Sequence, residues 1–337
     1  MTDYKKAGVD IDAGNLAEDL IGNIVKGTYN KNVISGVGSF GAVVSLKRIG
    51  NTKDFFLVST VDGVGTKLKV AALMNKWDSV GADIVNHCSN DILCMGAKPL
   101  FFMDYIASSK MKPEIVAEIV SGMAIACKSL NCPLIGGETA EMPGVYLEGE
   151  HDIVGFMVGI VEKKNFLDSS KVSEGDVLIA LASNGLHTNG FSLARKVLLE
   201  EAGFKVTDHI EVLGTTLGDA LLSVHKSYSN VVLSLLEKVK VHGVAHITGG
   251  GIIENLPRII PENLDAKYDF DSVKIPSIFR LIQEKGKISD NEMFRTFNMG
   301  VGLVLIVSKK DVPKTISFLS SKGESAWVLG EVIKKKN

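Results

Sequence analysis

The chain has 337 residues, more than one hydrophobic core usually serves, so its length predicts two packed units. Its 37 lysines and arginines nearly balance its 39 aspartates and glutamates, and a net charge of -2 excludes a general binder of nucleic acid or of membrane surfaces. A hydrophobic content of 45% with 34 glycines is typical of a globular protein, neither disordered nor collagen-like.

The cysteines and the N-terminal residues indicate the compartment. The cysteines show no Cys-x-x-Cys spacing, which favours buried small hydrophobic residues in a reducing cytosol over a zinc or redox motif; they are Cys88, Cys94, Cys127 and Cys132. Residues 1–14 lack the apolar core of a signal peptide, and no uncharged apolar stretch reaches the length of a membrane span. We therefore expect a cytoplasmic protein without membrane contact.

The first half of the chain alternates helices, strands and glycine-rich turns. The pattern predicts a short helix over 15–29, a glycine loop over 36–41, and strands over 42–46 and 55–61, the second ending at Asp62-Gly63. Apolar residues at helical spacing predict a helix over 77–95, and its second face carries Asp83, His87, Asn90 and Asp91. That polar stripe suits a site better than a core.

The chain continues with a second helix and a strand before the domain boundary. We predict a helix over 113–130, begun by proline, and a strand over 133–135 that runs into Gly136-Gly137-Glu138. A long apolar strand over 151–161 follows, and the polar stretch 162–176 contains the predicted boundary, with domains 1–168 and 169–337.

The second half repeats the mixture of helices and strands. We predict strands over 177–182, 244–247, 300–307 and 326–332, and helices over 191–202, 218–239, 275–285 and 312–321. Because the alternation is not strictly regular, the predicted class is α/β or α+β with mixed sheets.

The first glycine motif imitates a dinucleotide fingerprint. Gly36, Gly38 and Gly41 fit G-x-G-x-x-G, but a helix precedes them and a strand-like segment follows, the reverse of the context that the fingerprint requires. A flexible loop over phosphates and an ordinary glycine turn remain open.

The segment 62–67 is more informative. Asp62 at a strand end can hold a divalent cation, Gly63 and Gly65 allow backbone amides to approach phosphate oxygens, and Lys67 adds a positive charge. The alternative is an Asp-Gly hairpin turn with a solvated lysine. The chain contains no G-x-x-x-x-G-K-[ST] sequence, which excludes a P-loop.

Two further acids complete a candidate metal site. We pair Asp91, on the polar stripe, with Glu138 in the Gly-Gly-Glu segment. Carboxylates about 4 Å apart repel by about 4 kcal/mol at an effective dielectric of 20, so they can share a site with polyphosphate only through a metal, for which Mg²⁺ is the natural choice. The alternative is a set of solvated acids on separate loop ends.

Two segments of the second half are potential anion seats. Residues 184–190, which include His187 and Asn189, precede a predicted helix, and Thr248 with Gly249, Gly250 and Gly251 precedes another. His187 alone is more often a structural histidine than a catalyst. The spacing of His242 and His246 imitates a zinc motif, but on a strand the two side chains need not converge, and we reject a zinc site there.

Six segments, in this order, carry a closer resemblance. They are 7–15 (AGVDIDAGN), 62–67 (DGVGTK), 136–143 (GGETAEMP), 187–190 (HTNG), 245–251 (AHITGGG) and 295–302 (RTFNMGVG). Together they resemble the phosphoribosylformylglycinamidine cyclo-ligase, or aminoimidazole ribonucleotide synthetase, family over nearly the whole chain. Any one segment is weak evidence, but six in register are not a chance match.

The resemblance implies a fold and a reaction. It implies an N-terminal ATP- and metal-binding domain whose strands join those of a second copy in a homodimeric β-barrel, and a sandwich-like C-terminal α/β domain with a mixed sheet that completes the substrate site. It also implies that ATP phosphorylates the formyl oxygen of formylglycinamidine ribonucleotide. A nitrogen of the substrate then closes the imidazole ring, and the products are aminoimidazole ribonucleotide, ADP and phosphate.

The resemblance also suggests residue roles, which we state as hypotheses. Asp62, Asp91 and Glu138 would hold Mg²⁺, and Gly63, Gly65, Thr66 and Lys67 would surround the ATP phosphates. The loop containing Gly36, Gly38 and Gly41 would close over the nucleotide. The ribose phosphate or the reacting amidine of the substrate would contact His187, Asn189, Thr248 and the glycines 249–251. Ser39 and Thr188 depart from the glycine and serine common in the family, which leaves the flexibility of the first loop and the contact of that hydroxyl open.

Other members of the same superfamily are the nearest alternatives. A thiamine-phosphate kinase, a selenophosphate synthetase or a formylglycinamidine ribonucleotide amidotransferase subunit would share the chemistry of ATP over carboxylates. The first cysteine, Cys88, lies too far along the chain for the reactive residue of a selenophosphate synthetase, and the amidotransferase is generally much longer. A catalytically silent ATP-binding module is the alternative from another class.

Overall fold

The computed structural model describes residues 16, 20–22, 24–30, 33–35, 43–44 and 55–335. The chain divides into two compact units, the first comprising Met1–Ile92 and Pro99–Lys164 and the second Leu93–Lys98 and Asn165–Asn337. The last crossing between the units therefore falls between Lys164 and Asn165. The functions that we assigned to the domains 1–168 and 169–337 stay predictions.

A four-stranded sheet forms the centre of the first unit. After a hairpin of β1 (Val33–Ser35) and β2 (Val43–Val44), the sheet contains β3 (Phe55–Gly63), β4 (Lys98–Ser108), β5 (Leu134–Glu141) and β6 (His151–Glu162), in the order β3-β6-β4-β5. β3 runs antiparallel to β6, with Asp62 opposite Gly155, and β4 runs parallel to β5, with Asp104 opposite Gly137. The sheet is therefore mixed, with β3 and β5 at its edges.

Residues 20–22 and 24–26 are helical, and the helices that accompany the sheet further along the chain are α1 (Lys67–Met74), α2 (Asp78–Leu93) and α3 (Pro113–Ser129). Glycines allow α2 and α3 to approach closely, since a Cβ atom at Gly81 would lie 1.9 Å from the carbonyl oxygen of Ile119. A Cβ atom at Gly155 of β6 would lie 2.7 Å from the side chain of Ile84 on α2. The apolar face of α2 is thus buried against α3 and the sheet, as its spacing predicted.

Two strands of the first unit differ from the sequence prediction. We placed a strand over 133–135 followed by a glycine segment, whereas β5 continues through Gly136 and Gly137 to Glu141 and pairs with β4 along that length. β4 itself was not predicted. Pairing between these two strands supplies the backbone hydrogen bonds that compensate for the low strand propensity of glycine.

The second unit contains a five-stranded sheet in the order β10-β12-β7-β13-β11. Its strands are β7 (Val177–Ala182), β10 (Val241–His246), β11 (Leu264–Tyr268), β12 (Val301–Val307) and β13 (Ala326–Lys334), and a hairpin of β8 (His209–Ile210) and β9 (Thr215–Thr216) lies apart from them. Each of the four neighbouring pairs is antiparallel, which corrects the mixed sheet implied by the resemblance. An antiparallel pair of strands, unlike a parallel pair, needs no crossover helix to connect it.

The helices of the second unit surround this sheet. They are α4 (Phe191–Arg195), continued by a π-helical segment over Lys196–Glu201, α5 (Leu217–Leu221), α6 (Ser229–Leu236), α7 (Gly251–Asn255), α8 (Ser277–Gly286), α9 (Asp290–Thr296) and α10 (Val312–Ser321). The helix predicted over 218–239 is two helices, α5 and α6, separated by residues 222–228. Tyr228 in this connection donates to the carbonyl oxygen of Ala182 at 2.8 Å, so tertiary contacts replace the helical ones.

Alternate residues of β12 belong to two hydrophobic clusters. Leu303 and Leu305 pack with Val232 and Leu319, whereas Val304 and Ile306 pack with a different set. The sheet is therefore covered on both faces, and the predicted α/β (α+β) class with two domains is confirmed.

The cysteines of the described residues agree with the predicted role as buried small hydrophobic residues. The cysteines are free, and Cys88, Cys127 and Cys132 are buried while Cys94 is partly buried, as predicted. None of the helices that the structure describes has the length and apolar content required to cross a membrane.

Candidate functional site

Two acidic side chains of the first unit meet around one histidine. Asp62 is the penultimate residue of β3, and His87 and Asp91 lie one turn apart on α2. Nε2 of His87 is 2.7 Å from Oδ2 of Asp62 and 3.5 Å from Oδ2 of Asp91. The hydroxyl of Thr60 donates to the same Asp91 oxygen at 3.5 Å. The structure therefore brings together two of the three predicted metal ligands.

The surrounding acids favour the charged form of the histidine between them. Burial disfavours its charged form, but the hydrogen bond to Asp62 and the charges of Asp91, Asp62 and Asp83 outweigh burial and raise the pKa of His87 above its usual value. The side chain of His87 is 5% exposed, whereas those of Asp62 and Asp91 are 41% and 28% exposed. A buried histidine thus lies beside two carboxylates that solvent reaches.

This donor set fits Mg²⁺. The ion prefers one or two carboxylates together with phosphate oxygens and retained water molecules, which requires carboxylates at an accessible surface rather than in a closed cage. Asp62 and Asp91 meet that requirement because each keeps solvent access beside the other.

Glu138 lies apart from these acids within one chain. It is exposed on β5, opposite Tyr105 of β4, and β5 and β3 are the opposite edges of the sheet. Three strand spacings put the two edges about 14 Å apart. The predicted cluster of three acids is therefore incomplete in the single chain, because the Gly-Gly-Glu segment continues as an edge strand instead of turning back toward β3.

The sequence prediction missed an unusual acid beside that edge. A Cβ atom at Gly137 would lie 1.9 Å from Oδ1 of Asp104, so the glycine leaves room for this carboxyl group. Burial raises the pKa of Asp104 to about 7. No motif surrounds Asp104. The available signal in the sequence was an acid in the middle of the apolar stretch Phe101 to Ile106.

The segment 62–67 turns from β3 into α1. The backbone amide of Gly63 donates to Oδ1 of Asp62 at 2.7 Å, and Gly65 has a φ of +71°, the left-handed region that glycine adopts most easily. Thr66 and Gly65 are exposed. The turn therefore presents accessible backbone next to Asp62, as a segment that approaches phosphate requires.

Lys67 is buried and paired with an acid, so the alternative of a solvated lysine does not apply, while its proposed role at the ATP phosphates stays a prediction. Its Nζ lies 2.7 Å from Oδ2 of Asp83, and both side chains are fully buried. Burial lowers the pKa of Lys67, although the charge of Asp83 and its hydrogen bond oppose that effect. Lys67 thus joins the start of α1 to the middle of α2. The loop with Gly36, Gly38 and Gly41 lies outside the described residues.

The two glycine-containing segments of the second unit lie side by side. A Cβ atom at Gly249 would lie 3.2 Å from Oδ1 of Asn189, and one at Gly251 would lie 1.9 Å from the carbonyl oxygen of Phe294. Asn189 is partly exposed, and its amide donates to the hydroxyl of Thr188 at 3.4 Å. The structure therefore brings Asn189 and the 248–251 segment together, which the sequence predicted only as two separate seats.

Two asparagines that the sequence prediction did not assign hold these segments in place. The amide of Asn255 donates to the carbonyl oxygens of Gly249 at 3.0 Å and Gly251 at 2.8 Å. The amide of Asn298 donates to the carbonyl oxygen of Gly185 at 2.9 Å. The motif over 295–302 was the available signal for Asn298, whereas Asn255 has no such signal in the sequence.

Three buried histidines meet behind the same segments. His187 is 2% exposed and has a φ of +62°, and its ring stacks on that of His225 with centroids 4.1 Å apart. Nε2 of His225 lies 3.0 Å from Nε2 of His246. The sequence prediction missed His225 because it placed this residue inside a continuous helix. Of the two histidines at the rejected zinc spacing, His242 contacts Asp176 at 2.7 Å and His246 contacts His225.

Sequence profiles match both halves of the chain. Residues 38–161 match the N-terminal domain of AIR synthase related protein, and residues 173–337 match its C-terminal domain. The phosphoribosylformylglycinamidine cyclo-ligase of Alkaliphilus oremlandii is 50% identical over 330 residues, 98% of this chain and 96% of that protein. The enzyme of the same name from Caldicellulosiruptor bescii is 52% identical over 335 residues, 99% of this chain and 98% of that protein.

Solved structures share the fold at much lower identity. Thiamine-monophosphate kinase from Stenotrophomonas maltophilia has a TM-score of 0.71 at 16% identity, with 95% of this chain and 93% of that chain covered. The hydrogenase maturation protein HypE in complex with ATP has a TM-score of 0.67 at 16% identity, with 94% and 86% covered. At such identities the likeness concerns the fold alone.

The matched profiles contain the segments whose geometry is described above. Asp62, Asp91 and Glu138 lie in the N-terminal profile, and His187, Asn189 and Gly249 lie in the C-terminal one. Identities near one half over almost the full length accompany these matches. The chain belongs to the AIR synthase related family and, within it, to the phosphoribosylformylglycinamidine cyclo-ligases.

Proposed function

We propose that this chain is an ATP-dependent ligase that closes the imidazole ring of formylglycinamidine ribonucleotide in purine biosynthesis, releasing aminoimidazole ribonucleotide, ADP and phosphate. The observation that carries the proposal is the 50% identity to a cyclo-ligase over 98% of the chain. The fold neighbours, at 16% identity, contribute nothing to the choice of substrate.

The reaction needs alignment and charge stabilisation more than covalent chemistry by the protein. An amide oxygen is a poor leaving group, and a phosphoryl group transferred to it makes it a good one. The site has to align ATP with that oxygen and stabilise the charge that develops during transfer. A partly exposed carboxylate pair and accessible glycine turns are the residue types that this task requires.

For the nucleotide, we assign the residues around the end of β3. Asp62 and Asp91 would bind Mg²⁺, which when bound screens the phosphate charges. Gly63, Gly65 and Thr66 would place backbone amides near the phosphates, and the loop of Gly36, Gly38 and Gly41 would cover the nucleotide. Accessibility of the 65–66 turn and the 41% exposure of Asp62 support this assignment.

Lys67 has an indirect part in this assignment. Because its ammonium pairs with Asp83 in the interior, Lys67 fixes the first turn of α1 relative to α2 and thereby the amides of Gly65 and Thr66 relative to Asp91. A direct contact of Lys67 with phosphate would break its ion pair with Asp83, and separating a buried pair is costly.

For the ribonucleotide, we assign the adjoining segments of the second unit. His187, Asn189, Thr248 and the glycines 249–251 would contact the ribose phosphate or the amidine. The first support is the closeness of the two segments, since a Cβ atom at Gly249 would lie 3.2 Å from Oδ1 of Asn189. The second is the pair of hydrogen bonds from Asn255 that hold the glycine segment rigid. Rigid polar groups of this kind select a substrate at low entropic cost.

We further propose a homodimer in which the two sheets close into one barrel. Among the described residues, β3 is an edge strand, and Leu57 and Val61 on it are 60% and 63% exposed. Exposed apolar edges of this kind are normally covered. If the β5 edge of one copy meets the β3 edge of the other, Glu138 of the second copy approaches Asp62 and completes the set of three acids.

To test the proposal, the purified chain is incubated with ATP, Mg²⁺ and formylglycinamidine ribonucleotide. The amounts of aminoimidazole ribonucleotide and ADP that form are measured together. Equal amounts of the two products support the proposal. A folded protein that forms neither product contradicts it, and a parallel reaction with thiamine monophosphate then tests the nearest alternative. We place the enzyme in the cytoplasm, a proposal that fractionation of the source cells would test.

A further inference from the structure

His225 lies in the connection that interrupts the predicted helix between α5 and α6. The residue is fully buried, although no strand or helix contains it. Its segment is fastened to the loop before α4, because the amide of Asn184 donates to the carbonyl oxygen of Val224 at 2.7 Å. A connection that folds inward in this way places a polar ring where a loop usually leaves solvent.

The ring of His225 contacts both segments that we assign to the ribonucleotide. It stacks on His187 at 4.1 Å with an interplanar angle of 19°, and its Nδ1 lies 3.3 Å from the hydroxyl of Thr188. Its Nε2 lies 3.0 Å from Nε2 of His246, two residues before Thr248. One side chain therefore joins the 187–190 segment to the strand that ends at the 248–251 segment.

The spacing of these nitrogens suits a shared proton better than a metal ion. Two histidine nitrogens on a tetrahedral zinc ion, each about 2.05 Å from it, are about 3.3 Å apart, and ligating rings point toward one centre. The two Nε2 atoms are 3.0 Å apart, within the range of an N–H···N hydrogen bond, and the rings of His187 and His225 are stacked.

The donors and acceptors of this cluster combine into one ordered chain. The amide of Asn189 donates to the hydroxyl oxygen of Thr188, and the Thr188 hydroxyl hydrogen is then available to Nδ1 of His225. A neutral His225 that accepts at Nδ1 carries its proton on Nε2 and donates it to His246. Each of the three contacts between Asn189 and His246 then has one donor and one acceptor.

We propose that His225 is a positioning residue of the cyclo-ligase site, which sets the orientation of Asn189 through Thr188 and anchors it to His246. The inference rests on the proposed ribonucleotide role of Asn189. His225 itself is buried and need not touch the substrate. Its removal deletes the acceptor that faces the hydroxyl of Thr188, so the cost appears in binding of the ribonucleotide and not of ATP.

Three substitutions separate the contacts of His225. His225→Phe keeps a stacking ring and removes both hydrogen bonds. His225→Asn places an amide near the position of Nδ1 and keeps the contact with Thr188, whereas His225→Gln reaches toward His246 and loses that contact. We expect the phenylalanine and glutamine variants to raise the KM for formylglycinamidine ribonucleotide about tenfold, the asparagine variant to stay within about threefold of wild type, and the KM for ATP to change less than about twofold.

Two further measurements protect the test against misfolding and against failure of the proposed function. Thr188→Val and His225→Phe together should cost no more than either alone, because both cut the same chain. In the ligand-free wild type, ¹⁵N spectra of the imidazoles should show His225 as the neutral tautomer protonated on Nε2. His209→Phe, at an exposed histidine of β8, is the control and should change nothing.

The outcomes are separable. An asparagine variant no better than the phenylalanine variant, equal changes in the KM values for both substrates, or additive effects of the two substitutions would each overturn the positioning role. A His225 protonated on Nδ1 would overturn the donor order. A wild-type enzyme without cyclo-ligase activity, by contrast, would contradict the proposed function while the tautomer still reports on the hydrogen-bonded chain.

Discussion

The ammonium of Lys67 lies 2.7 Å from the carboxylate of Asp83, and neither side chain has any solvent exposure. The pair links the first residue of α1 to the middle of α2, the helix that carries Asp91. The two charges stabilise each other in the interior. The sequence motif that ends in Lys67 therefore depends on an acid sixteen residues away in the chain.

Breaking that pair from one side should destabilise the protein strongly. Asp83→Asn leaves the lysine without its counter-charge, and we expect the free energy of unfolding to fall by about 3–5 kcal/mol. Urea denaturation followed by circular dichroism measures it. Lys267→Met, in an exposed pair 4.0 Å from Glu331, is the control and should change the value by less than about 1 kcal/mol. Equal effects of the two substitutions would contradict the role of burial.

The carboxylate pair around His87 should be needed for catalysis and not for folding. Because Asp62 and Asp91 are partly exposed, Asp91→Asn should leave the melting temperature nearly unchanged. It should lower the Mg²⁺-dependent turnover by at least about 100-fold. That factor is the upper end of the loss caused by removing an outer-shell partner of a metal. Glu114→Gln, an exposed acid in the first turn of α3, is the matched control. Unchanged turnover in Asp91→Asn would remove this residue from the metal ligands.

Mixed dimers test whether Glu138 acts across the barrel. Asp62→Asn and Glu138→Gln should each be inactive as homodimers. When the two variants are unfolded, mixed in equal amounts and refolded, about half of the dimers are mixed and each has one intact site, so about a quarter of wild-type activity should return. No recovery in mixtures shown to contain the mixed dimer would place Glu138 in the site of its own copy or outside any site.

The buried carboxyl of Asp104 should make stability depend on pH. Its pKa is about 7 in the folded protein, against about 3.8 when unfolded, because burial disfavours the charge. The folded state therefore binds more protons than the unfolded state between these values, and the free energy of unfolding should fall as pH rises from about 4 to about 7. Asp104→Asn should flatten this part of the profile in metal-free buffer. An identical slope in the variant would assign the dependence to other groups.

A methyl group at Gly302 should disturb the histidine cluster. A Cβ atom there would lie 1.9 Å from the hydroxyl of Tyr228 and 2.8 Å from Cε1 of His187. We expect Gly302→Ala to lower the free energy of unfolding by about 1–3 kcal/mol, the usual cost of overpacking, and to shift the imidazole signal of His187. Gly136→Ala, where a Cβ atom meets nothing within 4 Å, should have little effect. Similar losses in both variants would point to backbone entropy instead of a collision.

Much of the fold follows from periodicity that the sequence displays locally. Strand β7 over 177–182 and helix α10 over 312–321 have the predicted bounds, because each has an uninterrupted pattern between clear end signals. The acidic and glycine segments were also recognisable, since residue type and spacing alone indicate which chemistry they suit. Membership of the cyclo-ligase family follows from the order of those segments along the chain.

The break between α5 and α6 was not predictable from pattern. Residues 222–228 have a composition that a helix would accept, and their inward fold depends on contacts with Asn184 and Ala182, about 40 residues away in the chain. The burial of His225 depends on the same contacts. Local propensity is weaker than such tertiary contacts, so the helix prediction failed at the residue that joins the segments 187–190 and 248–251.

The sequence by itself indicated the candidate residues for the chemistry: Asp62, Asp91 and Glu138 as acids, and the segments 187–190 and 248–251 as polar turns. Only the tertiary structure decided which of them meet. Strand order put Glu138 on the edge opposite Asp62, helix packing buried Lys67 against Asp83, and the 222–228 connection brought His225 between His246 and Thr188. The physical reason is that spacing along the chain fixes the face of a helix or strand on which a side chain lies. Long-range strand pairing and burial then decide which other element packs against that face.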